Sequence, residues 1–362
     1  MKASQTIKII LLGTALVAVG CGESGEPRST RISEDGKSVT AVRRVGDKEV
    51  VVRDGKKASD TYDEVRSAIV LPEGGLAYAA KSGGQWFVMK KGSRVGEAYE
   101  HVAGLTTTPD GSLTYAAKSD GKWRVIKAGK PVGEAYESVS APSVSPDGDV
   151  AYAARSAGKA CVVKNGKRLP GEYDWTWKPE YMSGGRSLGF VAATREGCFV
   201  VKDGRPISAK YDRICSWGVS ADGQSVAVIV LNKGQFLCLR DDQQVGAPLG
   251  PVEEFGRPVF SLDGRSVAFA VGGGDSWSIW RDGARHGSPF KAQGVGRLVF
   301  RPDGQAIACA AMLRGKWFII KDGVRTPEMY NKISGLRNGP DGKTLRFAAV
   351  RGGKAVKVEI PW

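Results

Sequence analysis

The chain has 362 residues, of which 41% are hydrophobic and 25% charged, and it carries a formal net charge of +15. That length has room for two domains, yet one repeat runs through it unbroken, so a single large domain is the simpler count. Two histidines and six cysteines without metal-ligand spacing argue against a metal centre and against a histidine-based catalytic dyad.

The first elements are not part of the fold. Lys2 and Lys8 form a basic start, and Ile9 to Val19 form an apolar stretch too short to span a bilayer. Residues 1–20 therefore read as a signal peptide. Ala18-Val19-Gly20-Cys21 resembles the lipobox of bacterial lipoproteins, although Ala18 stands where Leu is usual. The resemblance implies that Cys21 is acylated and becomes the mature N-terminus. Ordinary cleavage after Gly20 suits the same small residues, but it would leave an exposed thiol in an oxidising compartment. Residues 21–30 have linker composition and suit a lipid-anchored tether. Gly22 after the cysteine favours the outer membrane, so the expected location is the cell envelope.

From residue 31 to 362 a short motif returns: Thr108-Pro109-Asp110-Gly111, Ser145-Pro146-Asp147-Gly148, Ser220-Ala221-Asp222-Gly223, Ser261-Leu262-Asp263-Gly264 and others. A degenerate copy stands at Met182-Ser183-Gly184-Gly185. The closing glycines lie 37 to 41 residues apart. A period near 38 matches the length of a four-stranded propeller blade. In the third copy, Ser112 to Ala117, Trp123 to Ile126 and Lys130 to Val139 alternate like short strands, with turn residues between them. The glycine of each motif takes positive φ without a Cβ clash, and the acid bonds the turn backbone. These acids thus have a structural task and are poor candidates for catalysis. A second turn recurs as Arg53-Asp54-Gly55, Lys202-Asp203-Gly204 and Lys321-Asp322-Gly323, and a Tyr-acid pair such as Tyr99-Glu100 closes most units.

The Ser-Pro-Asp-Gly repeat, followed by an apolar strand and a Gly-Lys/Asp turn, resembles the WD40-like propeller repeats of the TolB type over about residues 28–362. The resemblance implies an all-β propeller and no particular activity, since such propellers serve as scaffolds, binding modules and enzyme domains. Nine motifs head nine units, but the last unit ends two strands after its turn. Eight or nine four-stranded antiparallel blades are both compatible with this, and a short N-terminal strand is able to complete the ninth.

The functional signals are sparse. No Gly-x-Ser-x-Gly elbow, phosphate loop or His-Glu-x-x-His occurs. His101 and His286 read as loop residues, and Gly272-Gly273-Gly274-Asp275 as a loose loop. Cys161, Cys198, Cys215, Cys238 and Cys309 read as small buried hydrophobes. No catalytic residue, metal or cofactor is expected. Lys81, Lys118, Arg155, Arg195, Lys233, Arg314 and Arg351 all follow the Ala-rich strand, which gathers them on one rim if the ring closes. A positive rim attracts anionic partners, and an ordinary solvated surface accounts for the same charges. Nucleic acid is not an expected partner of an exported chain.

One repeat position varies while its framework stays constant: Glu64, His101, Ser138, Trp175, Arg213, Glu254 and Lys332 follow the closing acid of each unit. Recognition surfaces of repeat proteins vary in this way, and so do tolerant exposed sites. Trp175 and Trp177 form an aromatic cluster suited to a sugar or peptide, or to inter-blade packing. The expected function is a monomeric, membrane-tethered binding or scaffold propeller for an envelope protein or an anionic or sugar polymer. The candidate rim is His101, Trp175, Trp177, Arg213, Glu254 and Lys332. The alternative is a glycosidase or lyase with carboxylates assembled by the fold.

Overall fold

The computed structural model describes residues 8–10, 29–33, 38–250, 252–352 and 354–362; Cys21 and the tether up to residue 28 lie outside the described residues. Blade 3 shows how one repeat becomes a sheet. Its innermost strand is His101–Thr107, followed by Leu113–Ser119, Lys122–Lys127 and the outermost Lys130–Pro131, all antiparallel. The second strand is buried on both faces between neighbouring sheets. Ala116 and Ala117 let those sheets approach, while Tyr115 fills the space and meets Tyr99 edge-on at 5.9 Å.

The turn chemistry follows the residue types. Asp110 Oδ1 accepts from the Ser112 amide at 2.9 Å, and Asp222, Asp263 and Asp341 do the same two residues on. Each closes the turn between the two innermost strands, where Gly111 sits at φ +77°. The second turn reaches further. Asp54, Asn165, Asp203, Asp241, Asp282 and Asp322 all adopt positive φ. Each side chain accepts from an amide at the start of its blade's second strand, as Asp203 does from Leu188 at 2.7 Å. Asp and Asn tolerate the left-handed region because their short side chains bond locally.

Nine sheets form among the described residues. Blade 1 supplies all four of its strands, starting with Ser29–Ile32. Blade 9 takes Lys332–Asn338, Thr344–Arg351 and Lys354–Pro361, and its outermost strand is Lys8–Ile10, with Lys8 opposite Glu359. The completing strand thus comes from within the segment read as a leader. The ring closes at the centre, where Arg337 Nη2 donates to the Ser33 carbonyl at 2.7 Å.

The innermost strands are not continuous. In blades 4, 5 and 7, Pro142, Pro179 and Pro258 lack the amide that a ladder needs, and the strand breaks there. In blades 2, 3 and 9 the register shifts beside Ser67, Gly104 and Gly335, each at positive φ.

A further recurrence holds neighbouring blades together. In five blades the cation ending the third strand reaches the turn glycine carbonyl of the next blade, among them Lys90 to Gly111 at 3.0 Å, Lys127 to Gly148 at 2.7 Å, Lys202 to Gly223 at 2.9 Å and Arg240 to Gly264 at 2.9 Å. Arg53 and Gly74 form the same pair. Part of the positive charge is therefore structural.

Two smaller expectations need correction. His286 is not in a loop; it lies in the strand Ala284–Lys291, with Nε2 2.9 Å from Asp322 Oδ1. His101 opens a strand as well. Gly272 and Gly273 end the strand Val267–Gly273, so that run is no loose loop. A Cβ at Gly272 would penetrate the Trp277 ring, which is why glycine stands there. The five described cysteines are free. Burial pushes the Cys238 and Cys309 thiols up to about 12.

Candidate interaction rim

Antiparallel pairing fixes where the variable residues sit. The start of each innermost strand faces the end of the second: Glu64 opposite Lys81, His101 opposite Lys118, Ser138 opposite Arg155, Trp175 opposite Ala193 and Arg213 opposite Leu231. Glu254 and Lys332 face Gly272 and Val350 in the same way. All seven positions therefore share one end of the ring, one per blade.

The closing acids are built into that end. Glu100 accepts from the Gly121 amide at 3.0 Å, Glu137 from Ala157 at 3.1 Å and Asp212 from Lys233 at 2.8 Å, so each acid caps the hairpin of the blade it enters. The Gly121 amide and then Lys118 hold the Glu100 carboxyl below its ordinary range. The preceding tyrosine bridges to the third strand of its own blade, as Tyr136 does to Trp123, and its ring meets the next blade.

The rim cations are only partly free. Lys118 pairs with Glu100 at 3.3 Å, and Arg155 donates to the carbonyls of Asp174 at 3.0 Å and Gly158 at 2.9 Å. Arg195, Lys233 and Arg314 remain exposed. His101 is exposed and stacks on Trp123 with ring centroids 6.2 Å apart. Arg213 and Glu254 are exposed, and Lys332 is half-buried.

The aromatic pair divides. Trp175 is 45% exposed, whereas Trp177 is half-buried and packs against a cluster containing Tyr211 of its own blade and Trp217 of the adjoining sheet. The two indoles meet edge-on at 5.8 Å. Trp175 offers an apolar face to solvent, while Trp177 belongs to inter-blade packing and meets it edge-on.

The centre of the ring holds charges that no motif marked. Arg257 of blade 7 grips Glu180 of blade 5 with both ends of its fork, one bond at 2.9 Å and its partner Nη2–Oε2 bond shorter. Blade 6 lies between them and leaves room because Gly218 has no Cβ to strike the Pro258 carbonyl. A recess opens beside this pair, and Glu180 is the single carboxylate among the described residues that line it. Among the described residues no group of three or more His, Cys, Asp and Glu is placed to hold a metal. The only sequence trace of this feature is a charge beside Pro179 and Pro258, where the strands break.

No protein-family model and no curated protein matches the chain. Solved structures do. The crystal structure of a eukaryotic initiation factor is similar, with a TM-score of 0.58 at 16% identity, covering 85% of this chain and 89% of that one. The Dos1 propeller is similar with a TM-score of 0.51 at 11% identity, covering 93% of each chain. The virginiamycin B lyase from Staphylococcus aureus has a TM-score of 0.39 at 12% identity, covering 94% of this chain and 97% of that one. At such identities the likeness speaks for fold and not for activity. By fold the chain is a nine-bladed, WD40-like β-propeller.

Proposed function

We propose that this chain is an exported, lipid-anchored protein of the cell envelope. Its monomeric propeller acts as a non-enzymatic binding or scaffold module for an envelope protein or a sugar-bearing polymer. The lipid is carried on Cys21. The observation that carries the binding reading is Trp175, an indole 45% exposed on a blade end, at a position that differs from blade to blade. Exposed aromatic anchors of this kind dominate binding energy at interfaces. Against the glycosidase or lyase reading stands the engagement of Glu180 by Arg257.

The test pairs two tryptophans with different tasks. Trp175→Ala should cut capture of envelope fractions, either membrane protein or wall polysaccharide, by about 30-fold if it is an anchor worth ~2 kcal/mol, with the unfolding midpoint unchanged. Trp177→Ala should lower the midpoint. Undiminished capture by Trp175→Ala refutes the rim assignment. Mass spectrometry of the mature N-terminus tests the anchor, since a start other than acylated Cys21 rejects it.

A further inference from the structure

The end of the channel opposite the rim carries a different chemistry. Innermost strands of consecutive blades 7, 8 and 9 place Arg257, Arg297 and Arg337 around the centre of the ring. Two recesses open there, beside the Asp-Gly turns. One of about 410 Å³ is lined by Glu180, Tyr181, Ser220, Arg257 and Arg297. The other, about 370 Å³, is lined by Arg297, Leu336 and Arg337 among others. Arg297 is common to both.

The three arginines are not equivalent. Arg257 is neutralised by Glu180, and Arg337 gives one of its donors to the Ser33 carbonyl. Arg297 makes no hydrogen bond or ion pair with any described residue, although its guanidinium carries five donors. Partial desolvation, and then the nearby Arg257 charge, press its pKa below the ordinary arginine value, against the weaker pull of Glu180. Its side chain is nonetheless exposed to solvent within the recess, so the guanidinium is open to a ligand, and the Arg257 charge beside it adds to the positive field there. Two cations share one carboxylate in this recess, and that carboxylate is taken by Arg257, so the excess positive charge sits on Arg297 and an anion would balance it.

The recess dimensions suit a small molecule rather than a polymer. Guanidinium forks match phosphate and carboxylate groups through two parallel hydrogen bonds, which an ammonium cannot do. We propose that the channel binds a small multivalent anion carrying phosphate or carboxylate groups, with Arg297 making the bidentate contact and Arg257 and Arg337 flanking it. The site lies at the opposite end of the ring from Trp175, so it stands independently of the rim.

The experiment uses the full chain at low ionic strength, with inorganic pyrophosphate and citrate as probes in calorimetric titration and thermal unfolding. The wild type should bind at least one probe saturably and unfold at a higher temperature with it. Preference for pyrophosphate marks the phosphate source, and preference for citrate the carboxylate source. Arg297→Gln should weaken binding at least 10-fold and abolish the thermal shift, while the ligand-free variant unfolds no earlier than wild type. Arg265→Gln removes an equal charge from a side chain 88% exposed at the same end, and should leave binding intact. The proposal is overturned if neither probe binds saturably, if Arg297→Gln binds as wild type does, or if that variant is less stable without ligand.

Discussion

The inter-blade lysines give the sharpest quantitative test of how this ring holds together. Lys127 Nζ lies 2.7 Å from the Gly148 carbonyl and Lys202 Nζ 2.9 Å from that of Gly223. Both lysines are half-buried. A hydrogen bond from a charged donor contributes about 1.5–3 kcal/mol when it is shielded from water. Water reaches these sites in part, so Lys127→Met should cost about 1 kcal/mol. The two bonds sit in the junctions of blades 3 and 4 and of blades 5 and 6, with the junction of blades 4 and 5 between them, and share no partner. Lys127→Met with Lys202→Met should therefore cost about 2 kcal/mol, the sum of the singles. Urea unfolding followed by tryptophan fluorescence reads this directly. With a slope of about 3 kcal/mol/M, each substitution moves the midpoint by about 0.3 M. The acceptors are carbonyls, not carboxylates, so the loss should persist in 1 M salt, where exposed ion pairs fade. Lys122→Met, at an exposed hairpin, is the control. If Lys127→Met shifts the midpoint no further than Lys122→Met does, the carbonyl bond is not stabilising and the reasoning fails.

Gly272→Ala should cost about 1–3 kcal/mol because the added carbon meets the buried Trp277 ring, and Trp277→Leu in the same chain should recover part of it; a neutral single substitution would show that the ring yields freely. The Asp110 carboxyl, held down to about 2 first by Thr108 and then by Ser112, stabilises the fold above its ordinary 3.8. That contribution is lost as pH falls through about 2, so the urea midpoint should drop between pH about 4 and 2, and less steeply in Asp110→Asn. Native alkylation at pH 8 should spare Cys238 and Cys309, whose thiols are buried and pushed up to about 12, while urea exposes both; peptide mapping tells the two states apart. A chain starting at Cys21 lacks Lys8–Ile10, which is joined to blade 9 by three residue pairs. Its loss should cost less than ~2 kcal/mol at ~1 kcal/mol per hydrogen bond, and a larger loss would make this strand an integral part of the mature ring.

The repeat was legible because its causes are local. An acid bonding an amide two residues away, as Asp110 does to Ser112, and a glycine at positive φ operate within one turn, so their pattern in the chain announces a blade wherever it recurs. The alanine run between those turns likewise announces close sheet stacking. The same signals reached their limit at the ninth blade, because completing it requires Lys8 to find Glu359, a pairing that no local preference encodes. Trp175 and Trp177 look alike in sequence, one opening the short strand Trp175–Thr176 and the other directly following it. Depth along the blade decides that one meets solvent and the other the neighbouring sheet. The charged channel was invisible for a related reason. Glu180 and Arg257 stand 77 positions apart and meet only across an intervening blade, and Arg297 becomes an unpaired cation only once three innermost strands converge. Turn and strand chemistry acts over a few residues and is written in the chain; a site at the axis is the sum of contributions from separate blades, and closure of the ring alone sets which of them meet.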